Sequence, residues 1–222
     1  MKQSIHPQTW RKFQSAFGCV FLLFAMTSIA TAGEITGAVK SATGKPVKNA
    51  YVFIWEVPEQ EFAPAEDVIP IDQIKKEFVP HILPVLIGST VTFPNKDQIH
   101  HHVYSFSEAK KFDRPLFRGT DVEPVVFDKR GAVRVGCKIH DTMSAIILVL
   151  QNPYFGITDK QGKYSIRNMS SEKKDKQIPP GEYKLAVWHE FMHGKHARKT
   201  RRNFEVATSG QIKVNFSLKM RR

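Results

Sequence analysis

Residues 136–143 read G-C-K-I-H-D-T-M, which sets a thiol, an imidazole and a thioether at three-residue intervals: Cys137, His140 and Met143. The whole chain has only two cysteines. Three readings compete for such a segment. Sulfur and nitrogen donors could hold a metal. Cys137 and His140 could be a nucleophile and its base. Or Cys137 could be a buried structural thiol, a common fate for a lone cysteine. A nucleophilic pair needs its members on separate elements and a third group to orient the base. Three-residue spacing in one strand-joining segment does not favour that.

An upstream stretch adds a donor. Gly88 to Asn95 (G-S-T-V-T-F-P-N) reads as a strand ending at Asn, and His101 follows six residues later, just before Val103. Two imidazoles and a thiolate form a trigonal site, and a thioether at longer range caps it, which is the type 1 copper arrangement. Zinc is the rival metal, because Cys and His also bind it. Met143 discriminates, since a thioether is a soft ligand suited to Cu(I). The register of His100-His101-His102 is open. Alternate strand residues face opposite sides, so if His101 faces a metal, His100 and His102 point elsewhere or build an exposed second site.

The elements that must position these donors are short strands. No convincing helix-period pattern follows residue 33. Alternating runs predict strands over 34–39, 48–55, 85–93 (bent at Gly88), 102–106, 125–127, 132–135 and 144–150. They continue over 155–158, 164–166, 183–188, 203–206 and 211–218. Frequent short strands with turn signals predict an all-β protein built of sandwiches or Greek-key barrels. The charged stretch Ser170–Pro180 and the basic stretch His193–Arg202 are expected loops.

Two resemblances give these strands an order. "GEITGAVKSATGKPVKNAYVFIW" (33–55), "GITDKQGKYSI" (156–166) and "IPPGEYKLAVWH" (178–189) resemble successive pieces of a carboxypeptidase-regulatory-like, transthyretin-like β-sandwich. About one hundred residues separate pieces that this family joins by a short linker. An inserted domain over 68–152 accounts for the gap, with the host formed by 33–67 and 153–222. The alternative is one continuous irregular β-domain. Within 78–151, "VTFPNKDQIHHHV" and C-x-x-H-x-x-M resemble the cupredoxin family, plastocyanin- and amicyanin-like, and periplasmic proteins of the methylamine-utilisation type. This resemblance implies a cupredoxin Greek-key β-sandwich, one type 1-like copper ion, and His101, Cys137, His140 and Met143 as its ligands. Three positions depart from the family pattern: His102 where Asn often ties the two ligand loops, Lys138 after the Cys, and Asp141 where Pro can stand. The charged neighbours of His140 put the usual apolar docking patch in doubt.

Lys2, Arg11 and Lys12 precede the apolar run Ala16–Ala30 and the small-x-small site Ala30-Thr31-Ala32. This is the layout of a signal peptide over 1–32. The alternative, an uncleaved anchor, calls for about 20 apolar residues. Most of the apolar run follows Cys19 instead of preceding it, which does not suit a lipoprotein. Cleavage would leave Cys137 as the sole thiol in an oxidising compartment, where burial or a metal protects it. It would also lower the formal charge from +12 to +9, three cations being removed. A basic exported chain implies an acidic partner or an anionic surface and argues against nucleic acid.

His189, His193 and His196 could mark a second metal or an electron exit, or be solvated loop residues. Asp97, Asp121 and Asp159 have turn context and no paired-carboxylate logic. The expected protein is periplasmic and not an enzyme. It passes single electrons between redox partners, with copper handling as the alternative. A metal-free structural or carbohydrate-binding module is the third possibility, disfavoured by the intact donor set.

Overall fold

The computed structural model describes residues 35–168, 178, 180–192, 200–206 and 212–221, with the backbone alone at 167 and 168. The expected signal peptide and His193 and His196 lie outside these residues, as do much of Ser170–Pro180 and His193–Arg202. Among the described residues there is no α-helix, and none is long and apolar enough to cross a membrane.

The first strands are β1 (Ile35–Ser41), β2 (Tyr51–Ile54), β3 (Ile69–Pro70), β4 (Asp72–Ile74), β5 (Glu77–Val79) and β6 (Ile82–Leu86). There follow β7 (Thr90–Thr92), β8 (His101–Ser107), β9 (Lys110–Phe117), β10 (Val125–Val126), β11 (Gly131–Cys137) and β12 (His140–Leu150). The chain closes with β13 (Tyr154–Ile157), β14 (Lys163–Asn168), β15 (Gly181–Trp188), β16 (Arg201–Val206), β17 (Ile212–Lys213) and β18 (Phe216–Leu218). The expected strand at 85–93 is two strands. Gly88 takes φ +90° between them, a left-handed turn that glycine adopts without steric cost. Strand β9, K-K-F-D-R-P-L-F, is not among the expected strands. It is an edge strand with no fully buried side chain, and its apolar residues Phe112, Leu116 and Phe117 do not alternate with polar ones. Its Pro115 suits an edge, where no ladder hydrogen bond is lost.

Strands from 35–54 and 154–218 form one eight-stranded sheet, in the order β16-β15-β2-β13-β14-β1-β17 with β18 also paired to β1. Its inward residues, among them Ile35, Val52, Ile54, Tyr154, Leu185 and Leu218, meet in one buried cluster. The sheet therefore rolls around its own core. Strands from 69–150 form a five-stranded sheet, β6-β12-β11-β8-β9, and a three-stranded sheet, β10-β7-β3. These enclose a second core that includes Phe93, Val103, Phe127, Val135, Cys137 and Met143.

Strand β12 serves both halves. Ala145, Ile147 and Val149 face the second core. The alternate residues Leu148 and Leu150 pack with Tyr51, Phe53, Phe155 and Ala186 of the eight-stranded sheet. A strand buried on both faces reads as a continuous apolar run, which is how A-I-I-L-V-L appears in the sequence. Polar links reinforce this junction. His81 places Nδ1 3.0 Å from the carbonyl of Ser144 and Nε2 2.9 Å from the carboxylate of Glu190. The Trp55 ring lies between the guanidinium groups of Arg130 and Arg201, 4.0 and 3.4 Å from their carbons.

Candidate metal centre

The end of the second core carries the predicted donors. Strands β8 and β11 are antiparallel neighbours, with Val103 opposite Cys137. His101 opens β8 and Cys137 ends β11, so the backbone ladder brings both to one end of the sheet. The turn after Cys137 is only Lys138-Ile139, and His140 begins β12 directly opposite Cys137. The expected Cys–His–Met loop is thus a tight hairpin followed by a bulge. Gly136 pairs with Ser144 and Cys137 with His140, which leaves residues 141–143 without ladder partners. This excess bends the strand. Asp141 and Thr142 are exposed, whereas Met143 returns to the core at 2% exposure.

The donor atoms converge. Cys137 Sγ lies 3.7 Å from Nδ1 of His101 and 3.7 Å from Nδ1 of His140. One donor atom from each of the three residues falls within 4.8 Å of the others. The imidazole centroids are 5.0 Å apart. His101 and Cys137 are buried, His140 is half-buried, and Met143 lies in the same core cluster as Cys137. Two nitrogens, a thiol and a thioether fit a soft, borderline metal better than an oxygen-loving one.

Asn95 explains the upstream motif. It is buried, donates Nδ2 to the carbonyls of Ile99 and Phe117, and accepts the N–H of Asp97. It thereby folds the loop that delivers His101. Asp97 is a residue that sequence reasoning passed over. Its Oδ2 accepts His101 Nε2–H at 2.9 Å, and its carboxylate also accepts the N–H groups of Lys75 and Lys76. Partial burial pushes the Asp97 carboxyl up, but the hydrogen bonds from Lys76, His101 and Lys75 outweigh this and hold it below the usual carboxylate range. The available signal was its place four residues before His101.

Two of the three departures from the family pattern, His102 and Lys138, share one partner. His102 turns away from Cys137 and bonds Asp113 on β9, and Lys138 donates to the same carboxylate at 2.8 Å. Asp113 therefore bridges the residue after His101 and the residue after Cys137. Those two bonds hold its carboxyl low, that of Lys138 first. His100 and Asp141 are exposed. His189 is not placed with the donors. Its Nε2 faces the carbonyl of Lys48 at 3.1 Å and its Nδ1 accepts the N–H of Phe191. Burial lowers its affinity for a proton.

This defines an all-β protein in which buried His101 and Cys137 and half-buried His140 converge at one end of a core that also holds Met143. No family model matches the chain, and no curated protein matches it. Solved structures do match over part of its length. A purple cupredoxin from Nitrosopumilus maritimus is 24% identical, with 37% of this chain and 99% of that one covered and a TM-score of 0.33. A reduced Cu(I) form of a single-site mutant of amicyanin is 23% identical, with 44% and 97% covered and a TM-score of 0.35. A copper-containing nitrite reductase from Thermus scotoductus SA-01 is 22% identical, with 43% and 25% covered and a TM-score of 0.36.

Proposed function

We propose that this protein is a type 1-like copper protein that passes single electrons between redox partners and transforms no substrate itself. The observation that carries this reading is that Sγ of Cys137 lies 3.7 Å from Nδ1 of His101 and from Nδ1 of His140, with one donor atom of each of the three residues within 4.8 Å of the others. Copper would supply a one-electron couple. Cys137 would bind as thiolate, His101 and His140 as neutral imidazoles, and Met143 would offer its thioether as a fourth donor. His101 and Met143 are buried from bulk water. Half-buried His140, beside exposed Ile139, reaches the surface and offers the shortest path for an electron.

Residues 68–152 would form the copper domain, set into a sandwich of 33–67 and 153–222. The partition of the strands among the sheets supports this. Export to the periplasm rests on the sequence of residues 1–32. An acidic redox partner fits the exposed Lys75, Lys76, Arg118 and Lys138 at the copper end. The second reading is periplasmic copper handling without electron transfer, supported by the soft sulfur donors alone.

The test is visible and EPR spectroscopy of the copper-loaded full chain beside Cys137→Ser. An intense thiolate-to-copper band that bleaches reversibly with reductant, and is missing in the variant, is expected. Tight Cu(I) binding without a reversible band would favour copper handling. No binding of either copper state would remove both readings.

A further inference from the structure

We propose that Asp97 is a positioning residue: it fixes His101 in the Nε2–H tautomer and holds the potential of the copper couple low. This deepens the copper reading and rests on His101 being a ligand.

His101 is fully buried, so no bulk water can satisfy its outer nitrogen. That nitrogen meets Asp97 Oδ2 at 2.9 Å. A carboxylate only accepts, so Nε2 carries the hydrogen and Nδ1 presents its lone pair towards Cys137. Asp97 is itself held rigidly. The Lys75 N–H reaches Oδ1 at 2.6 Å and the Lys76 N–H reaches Oδ2 at 2.8 Å. Both lysines have left-handed backbones, with φ of +53° and +62°. They are the central residues of the β4–β5 turn. Such turns favour Asn and Gly, and lysine at both positions costs backbone energy. Two amide bonds to one carboxylate offset that cost. The hairpin is thus shaped around Asp97, which in turn aims His101. The neighbouring ammonium of Lys96 goes to Asp72 at 2.6 Å instead.

A carboxylate behind a ligand imidazole makes that ligand more basic. Negative charge so close to the metal stabilises Cu(II) more than Cu(I), which lowers the potential. Asparagine cannot reproduce the arrangement. With three N–H groups aimed at the carboxylate, its amide must turn a donor towards at least one of them.

Two measurements on the full chain test this. In the metal-free protein, nitrogen-15 NMR of the histidine rings should find His101 as the Nε2–H tautomer, with that proton protected from exchange. Finding the Nδ1–H tautomer, or rapid mixing of both, would overturn the proposal. In the copper protein, Asp97→Asn should raise the midpoint potential, and Asp97→Glu should recover part of the difference. A tenfold change in the ratio of Cu(II) to Cu(I) affinity corresponds to about 59 mV, and a shift of at least that size is expected. An unchanged potential in a folded, copper-loaded Asp97→Asn protein would also overturn it. If Asp97→Asn does not hold copper, the wild-type tautomer decides. A wild-type protein without a thiolate-to-copper band would sink the copper reading, while the NMR result would still decide the positioning role.

Discussion

His101 and Cys137 face each other, Nδ1 to Sγ at 3.7 Å, across two paired strands although 36 residues separate them. The contact depends on ladder register, so the backbone sets the pair before any metal arrives. Around it, two carboxylates work at different depths. Asp97 holds the buried imidazole, and Asp113 straps together the residues that follow the two donors.

The strap should matter for retention more than for folding. Surface ion pairs contribute little to stability and weaken in salt. Asp113→Asn is expected to leave the melting temperature nearly unchanged while speeding copper loss to a chelator at low ionic strength. The difference should vanish near 1 M salt, where the screening length is about 3 Å. Equal loss rates at low salt would show that the strap does not hold the two strand ends together.

Asp97 should also leave a mark on acid stability. Its folded carboxyl titrates below its unfolded value of about 3.9. The stability it contributes is therefore present above that unfolded value and is lost as pH falls through the folded one. Metal-free wild-type protein should melt higher than Asp97→Asn at pH 7, and the gap should narrow as the pH falls below the unfolded value. A gap that stays constant with pH would point to packing rather than charge.

Gly37 tests the eight-stranded sheet. A Cβ there would lie 1.8 Å from the carbonyl oxygen of Val214 and 2.8 Å from the hydroxyl of Tyr164, which itself donates to that carbonyl at 2.6 Å. The backbone must move to admit a methyl group. Gly37→Ala should destabilise the protein by about 3 kcal/mol, the upper part of the overpacking range, as read by denaturant unfolding. A loss below about 1 kcal/mol would mean that 214–215 yields easily.

The junction between the halves can be measured through Trp55. A double-mutant cycle of Trp55→Leu and Arg130→Met should give a coupling of about 1 kcal/mol, the range of a partly desolvated cation–π contact. Zero coupling would leave the apolar cluster around Leu148 and Leu150 as the main tie between the halves.

The all-β class was legible because it follows from local pattern, and so was the choice of His101, Cys137 and His140, whose donor atoms the structure brings together; Met143 as a fourth ligand is part of the proposal. Strand periodicity, turn residues and the three-residue spacing of Cys137, His140 and Met143 need no knowledge of distant contacts. Where pattern was weak, the reading missed. Strand β9 has no fully buried residue, and its apolar residues fall out of alternation. The pairing of β12 with both cores could not be read from a run of six apolar residues.

The sequence by itself determined which atoms could bind a metal and that strands would carry them. Only the tertiary structure decided how those atoms are held. Asp97 reaches the amides of Lys75 and Lys76, 22 and 21 residues away. Asp113 lies 11 residues from His102 and 25 from Lys138. Met143 returns to the core only because three residues of β12 bulge from the ladder. These relationships depend on strand register and turn geometry, which long-range packing fixes and local residue preference does not.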